Sequence, residues 1–326
     1  MADFKLIDMH CDTLTESEER GEGLRDNGLH LSFIKMREGN YLLQCFAIFL
    51  DRVKTARLWD TCLHFVDRFD RAMAENADLI APVTDAAQIA ENEKRGQMSA
   101  LLTVEDGSMI EGRLENLQTL FDRGVRLMTL TWNYENEIGF PNDVLRGDPR
   151  PDALHGLKPF GFEVVQKMQS LGMLVDVSHL GDAGFYDVMD AAEKPVVASH
   201  SNARAVCGVP RNMTDDMIRK LRDNGGVMGL NYCPAFVSED PRENQIPALV
   251  RHLRHIVRVG GIETAAIGGD FDGIPTPVGM SDCTKTHLLY KALRDEGFSH
   301  DEIDLIFRKN FLRVFRAQER SRHGTD

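Results

Sequence analysis

A single-domain (β/α)8 barrel spanning residues 1–326 is the fold this sequence predicts. Three observations lead there. Eight short apolar segments recur along the chain, and helical patterns lie between most of them. No G-x-G-x-x-G follows a strand candidate and no G-x-x-x-x-G-K-[ST] occurs, so the nucleotide-binding folds with the same alternation lose support.

In chain order the strand candidates are "KLIDMH" (5–10), "LLQCFAIFL" (42–50), "SALLTVED" (99–106), "RLMTLTW" (126–132), "MLVDVSH" (173–179), "PVVASH" (195–200), "GVMGLNY" (226–232) and "TAAIGGD" (264–270). Each is six to nine residues rich in apolar and β-branched side chains, the pattern of strands buried on both faces. Within 55–76, Leu58, Cys62, Phe65, Val66, Phe69 and Met73 recur at three- and four-residue spacing, which predicts a helix with one apolar stripe. "PFGFEVVQKMQSLG" (159–172) repeats the pattern and ends on a glycine, a common helix stop. Ile303, Ile306, Phe307, Phe311, Val314 and Phe315 mark a terminal helix. Residues 133–158 form the longest stretch without periodicity, expected to be a βα loop over the active-site mouth.

Composition narrows the partners. Hydrophobic residues make up 42% of the chain, enough for one large core or two ordinary ones. Lysine and arginine number 38 against 51 acids, a net charge of -13, which argues against nucleic-acid or anionic-membrane partners. The longest apolar runs, such as "YLLQCFAIFL", are about half a membrane span. "MADFKLID" lacks a basic region followed by an apolar one, so no secretory signal is expected. Six cysteines (11, 45, 62, 207, 233, 283) without C-x-x-C pairs suit reduced thiols in a cytoplasmic protein. The oligomeric state stays open, with a homodimer among the options.

The chemistry concentrates at strand ends. In "DMHCDT" (8–13), Asp8, His10 and Asp12 occupy alternate positions, so on a strand they would share one face and Met9 and Cys11 the other. A single buried His or Asp is usually structural. Here His10 and Asp12 end strand 1, Glu105 and Asp106 strand 3, His179 strand 5, His200 strand 6 and Asp270 strand 8. A barrel brings such ends to one mouth. Buried together, these groups need compensation, and divalent metal is the usual one, with zinc or a similar first-row ion suited to the donors. No lysine lies near the C-terminal end of any strand candidate to act as a carboxylated bridge, whereas Glu105 can offer one oxygen to each of two ions.

The motifs "DMHCDT", "LLTVEDG", "LVDVSH", "VVASHSNARAVCGVPRNMTDD" and "AIGGDFDG" resemble those of the membrane (renal) dipeptidase family of metallopeptidases, in the amidohydrolase superfamily. The likeness runs from residue 7 to the terminal "KNFLRVF". It implies two divalent ions, zinc by this family's pattern, with His10 and Asp12 on one, His179 and His200 on the other, and Glu105 between them. It further implies that Asp270 is the general acid/base and that Arg211 clamps the dipeptide's terminal carboxylate. Asp272 reads as a loop cap before Gly273. One position departs from the family: a histidine commonly follows "LT" at the end of strand 4, and here it is Trp132. Indole can donate one hydrogen bond but does not titrate near neutral pH, so Trp132 is expected either to contact substrate or to pack under the loop. Asn133 and Tyr134 are candidates to supply the missing donor. Mammalian members' secretion signal and lipid anchor have no counterpart in this sequence.

The expected reaction is hydrolysis of dipeptides, L-Xaa-L-Xaa or L-Xaa-D-Xaa, by a metal-activated water with Asp270 handling the proton. A free amino group calls for an acid to receive it, with Asp106 and the acids of 133–158 as candidates. Rival readings are another amidohydrolase activity, such as deacylation of N-acyl amino acids, and a metal-binding homologue without catalysis.

Overall fold

The computed structural model describes residues 4–142, 154–240 and 242–319. Its strands are β1 (Leu6–Asp8), β2 (Tyr41–Phe49), β3 (Ile80–Pro82), β4 (Met98–Glu105), β5 (Leu127–Thr129), β6 (Leu174–Asp176), β7 (Val197–Ala198), β8 (Val227–Leu230) and β9 (Ala265–Ile267). All pairings are parallel, in the order β1-β2-β4-β5-β6-β7-β8-β9, with β3 attached to the outer side of that path through β4. Backbone bonds from Met9 N to Ile267 O (3.0 Å), Asp270 N to His10 O (3.1 Å) and Asp12 N to Phe271 O (3.0 Å) bring the first and last strands together. Eight parallel strands therefore form a nearly closed (β/α)8 barrel, as the alternation predicted.

Two apolar layers hold it. Ile7, Leu43, Leu101, Leu127, Leu174, Val197, Val227 and Ala266, one from each barrel strand, form a buried cluster with Phe311, Val314 and Phe315 of helix Asn310–Gln318. Several of these are the first residues of their strands, so the terminal helix plugs the end opposite the site. Burying one such side chain fully is worth about 1.5–3 kcal/mol. The outer layer seats the surrounding helices. Helix Leu58–Glu75 buries Cys62, Phe65, Val66, Phe69 and Met73, the predicted stripe without Leu58. Helix Pro159–Leu171 starts on a proline and stops at Gly172, whose φ of 87° suits glycine.

The structure departs from the sequence reading in three places. The short strand β3 was not foreseen. The terminal helix is not uniform, because a π turn, Leu305–Lys309, joins His300–Asp304 to Asn310–Gln318. Most strands also end earlier than their apolar runs. β1 stops at Asp8, so alternation does not carry to residue 12: Met9 joins the inner cluster, and Asp8 turns its Oδ1 to the backbone N–H of His10 (3.1 Å) and Gly269 (2.8 Å). Asp8 thus fastens the turn and does not join His10 and Asp12. Of the loop 133–158, residues 143–153 lie outside the described residues.

Candidate metal and active site

Glu105 is the last residue of β4, while His10, Asp12, His179, His200 and Asp270 lie just beyond β1, β6, β7 and β9. Left-handed backbone marks several of these exits: φ is 65° at His179, 62° at Asp270, 79° at Asp106 and 72° at Asp272. For non-glycine residues such conformations cost of order 1–3 kcal/mol and break the pleat, so extended backbone does not continue through these exits. Neighbouring glycines permit the crowding. A Cβ on Gly268 would stand 1.7 Å from Ser199 O, and one on Gly273 2.0 Å from Asp12 Oδ2. "GGDFDG" is thus a segment that must pass close to two other strand exits.

The predicted ligands converge. His10 Nε2 lies 3.5 Å from Glu105 Oε2, 3.6 Å from Asp12 Oδ2 and 3.8 Å from Asp270 Oδ1, beyond good hydrogen-bond length from each. It is buried and has no hydrogen-bond partner among the described residues. On the other side, Glu105 Oε1 is 3.1 Å from His179 Nε2 and 3.5 Å from His200 Nε2. The two oxygens of one carboxylate therefore face separate sets of imidazoles. His10, Glu105 and His200 offer ligand atoms within 4.8 Å of one another, and so do His10, Asp12 and Asp270. Asp270 is thereby close enough to the ion-binding atoms to serve as a ligand as well as an acid/base.

Without a cation the site is electrostatically strained. Burial pushes Asp270 up to about 8, with Asp12 and Glu105 adding to the shift against the pull of His10. Burial and Glu105 raise Asp12 to about 6. Burial would lower His10, but Glu105 and Asp12 outweigh it and hold the imidazole well above its ordinary value. Burial would raise Glu105, yet His10 and its other imidazole neighbours bring it well below. Burial, with Arg211 adding, lowers His179 to about 4; burial, His10 and Arg211 take His200 well below its ordinary range. His179 and His200, neutral beside clustered carboxylates, belong to the donor set of a first-row divalent cation, and the Nε2 of His10, unpartnered among the described residues, has the same implication. The residues fit a metal centre.

Polar groups behind the ligands fix their orientation. Ser199 Oγ lies 2.5 Å from Asp176 Oδ2 and 2.7 Å from His200 Nδ1. The single hydroxyl hydrogen goes to the carboxylate, so the serine oxygen accepts from His200 Nδ1–H and Nε2 is left with its lone pair. Asp176 also accepts from Thr129 Oγ1 (2.6 Å) and the backbone N–H of Ser178 (3.0 Å) and Ser199 (2.8 Å). Asn133 Oδ1 lies 3.1 Å from His179 Nδ1 and accepts from it in the same way. Sequence reasoning missed Asp176 and Ser199, although a carboxylate inside the apolar run "MLVDVSH" was a signal that could have found the first.

A cavity of about 470 Å³ opens over this cluster and is lined by Asp12, Glu105, His179 and Asp270, with Phe49, Trp132, Asn133, Phe236 and Pro275 among its walls. Trp132 is half-buried, its ring 4.7 Å from Phe49, 5.4 Å from Tyr134 and 6.4 Å from His179, so it both packs and borders the cavity. Arg211 is buried at 2% exposure. It donates from Nη1 to Ser201 Oγ (3.0 Å) and from Nη2 to His200 O (2.9 Å), while its Nε has no partner among the described residues. Asp106 does not face the cavity; its Oδ1 is engaged by Ser108 N (3.0 Å) and Asn136 Nδ2 (2.8 Å). Glu135 and Glu137 pair instead with Lys158 (2.7 Å) and Arg52 (3.5 Å). The acids that do border the cavity outside the ligand cluster are Asp272 and, unforeseen from the sequence, Glu16, Glu19 and Asp51. Asp272 does more than cap its loop: it accepts from Thr13 Oγ1 (2.5 Å) and His30 N (2.7 Å), tying the β9 exit to the first helix.

Comparison with known proteins agrees with this geometry. The family model of membrane dipeptidase, peptidase family M19, matches residues 1–326. An uncharacterised dipeptidase of Schizosaccharomyces pombe is 31% identical over 340 residues, covering 97% of this chain and 80% of that protein. The crystal structure of dipeptidase AC, a metallopeptidase of family M19, is similar with a TM-score of 0.91 and 26% identity, covering 97% of this chain and 99% of that one. A Rhodobacter sphaeroides metallopeptidase, solved with a phosphinate mimic of the dipeptide L-Ala-D-Ala, shares the fold with a TM-score of 0.90 at 24% identity, over 97% of this chain and 99% of that one. The chain belongs to the membrane dipeptidase family, peptidase family M19, a family of peptide-bond hydrolases.

Proposed function

We propose that the chain is a binuclear zinc dipeptidase in which His10 and Asp12 would hold one ion and His179 and His200 the other, with Glu105 able to offer one oxygen to each. The division of the Glu105 oxygens between His10 on one side and His179 and His200 on the other carries this reading. Ions bound there supply a nucleophile at neutral pH and polarise the scissile carbonyl. The chain's own groups do the rest. Asp270, which lines the cavity with its Oδ1 beside His10, takes a proton from the attacking water and returns it to the leaving amine. Arg211, buried and with donors to spare, holds the terminal carboxylate through its guanidinium. Of the acids beside the cavity, Glu16 is paired with Arg20 (2.7 Å) and Asp51 with Lys54 (3.1 Å), which leaves Glu19 to favour a substrate with a free ammonium over an N-acylated one. Six free, buried cysteines fit a cytoplasmic, reducing setting. Among the described residues no helix is long and apolar enough to cross a membrane.

The test is a panel of L-Xaa-L-Xaa, L-Xaa-D-Xaa and N-acyl amino acids, assayed with added zinc. Turnover of free-amine dipeptides with little on the N-acyl compounds is the expected result. Turnover confined to N-acyl compounds would establish a deacylase instead, and none on any substrate in metal-loaded protein would leave a binding homologue.

A further inference from the structure

We infer that Asn231 is the positioning residue for Asp270: its amide holds Oδ2 of the carboxyl group, so that Oδ1 is the oxygen that carries the proton. The inference rests on Asp270 acting as acid/base. Asn231 follows β8 and is fully buried. Its Oδ1 accepts from Cys233 N at 2.6 Å, which decides the orientation of the amide. The NH₂ group then faces the other way, 2.9 Å from Asp270 Oδ2 and 3.2 Å from His200 O. Nδ2 has two hydrogens and no accepting lone pair, so each of these contacts takes one hydrogen. A proton on Oδ2 would point a hydrogen at a donor. The proton is therefore directed to Oδ1, which is also the oxygen that faces His10 Nε2, at 3.8 Å.

The clamp is itself held. Asn231 N donates to Asn202 Oδ1 (3.1 Å), and Asn202 Nδ2 donates back to Asn231 O (2.9 Å). The carbonyl of His200 that accepts from Asn231 also accepts from Arg211 Nη2. The carboxylate-binding cation, a metal-facing imidazole and the acid/base thus share one buried junction. In the reaction, water loses a proton to Asp270 Oδ1 as its oxygen bonds to the carbonyl carbon. The C–N bond then breaks, and the same proton passes from Oδ1 to the leaving nitrogen. Fixing one oxygen spares the carboxyl group a rotation between these two transfers.

A double-mutant cycle of Asn231→Ala and Asp270→Asn tests this, with metal content measured for each protein. In the Asp270 background Asn231→Ala should lower kcat about ten- to a hundredfold, short of the full acid–base contribution, with KM and metal content nearly unchanged. In the Asp270→Asn background the same substitution should change kcat less than about twofold, because the group it positions is already inactive. If the alanine variant does not fold, Asn231→Asp keeps the shape while removing the donor, and the same two comparisons apply. Equal losses in both backgrounds, or a raised KM with kcat intact, overturn the role of Asn231. A wild-type chain inactive on every dipeptide, or an Asp270→Asn variant as fast as wild type, overturns the reading of the reaction itself.

Discussion

The Nε2 atoms of His179 and His200 lie 3.0 Å apart, and the partners of their Nδ1 atoms leave neither with a hydrogen to share. Asn133 Oδ1 takes the Nδ1 hydrogen of one ring and Ser199 Oγ that of the other. Two lone pairs therefore face each other, with Glu105 Oε1 3.1 Å and 3.5 Å away. Three acceptors at that spacing repel unless a cation lies among them. The site is built in advance for an ion.

Metal content follows from that arrangement. Elemental analysis of protein purified without chelator should approach two divalent equivalents per chain. Glu105→Gln should weaken both together, and Ser199→Ala should weaken the ion on His200 by about 10–100-fold by removing the partner of Nδ1. A firm value of one equivalent, unchanged by added zinc, would refute the bridged pair.

Asp270→Asn should retain most of the bound metal and lose about 10²–10⁴-fold in kcat. Single-turnover rates beside metal analysis separate the two. Loss of one ion with the activity would identify Asp270 as a necessary ligand, a role its place beside His10 and Asp12 permits.

Arg211→Ala should raise KM for dipeptides with a free terminal carboxylate and affect amidated ones much less. Because Arg211 also donates to Ser201 and His200, the comparison between the two substrate classes is the informative quantity. Equal effects on both would make it a scaffold residue.

Trp132→His introduces, at a position bordering the cavity, the residue that the sequence resemblance leads one to expect there. Loss of a carbonyl-stabilising donor costs about 2.7–4 kcal/mol when nothing replaces it. A rise in kcat on L,D-dipeptides would show that the tryptophan is a deficit in an otherwise ordinary pocket. A fall on every substrate, with fold and metals intact, would show that the pocket has been rebuilt around the indole.

Acid sensitivity has a source outside the metal centre. His252 is buried, its Nδ1 accepting from Ala203 N (3.1 Å) and its Nε2 donating to Val237 O (3.0 Å). Burial lowers it to about 4, against about 6.5 for the unfolded chain. The folded form favours neutral imidazole, so stability is full above pH ~6.5 and falls as the pH drops toward about 4. Between pH 7 and 5, urea unfolding should show wild type losing about 1–2 kcal/mol more than His252→Gln. Parallel losses would exclude His252 as the cause.

Much of this protein could be read in its primary structure. The eight apolar runs gave the barrel, because strands buried on both faces must be apolar nearly throughout. Polar residues at the ends of those runs gave His10, Asp12, Glu105, His179, His200 and Asp270, since a parallel barrel delivers all its strand exits to one mouth. Where the apolar pattern stopped, so did the reading. Asp8 sits in the same alternation as His10 and Asp12, yet β1 ends there and the backbone carries its side chain to Gly269.

The sequence by itself determined the barrel and the set of ionisable groups converging on its mouth, for both are written in local pattern and chain order. Only the tertiary structure decided how those groups are divided and supported. Which oxygen of Glu105 faces which histidine, that Ser199 joins His200 to Asp176, and that Asn231 holds one oxygen of Asp270 all depend on contacts between different strand exits. Such contacts follow from barrel closure and left-handed turns at Asp106, His179 and Asp270, and a one-dimensional pattern carries neither. A hydrogen bond is set by angle and by distance to within a few tenths of an ångström, and residues far apart in the chain meet that condition only after the whole barrel has packed.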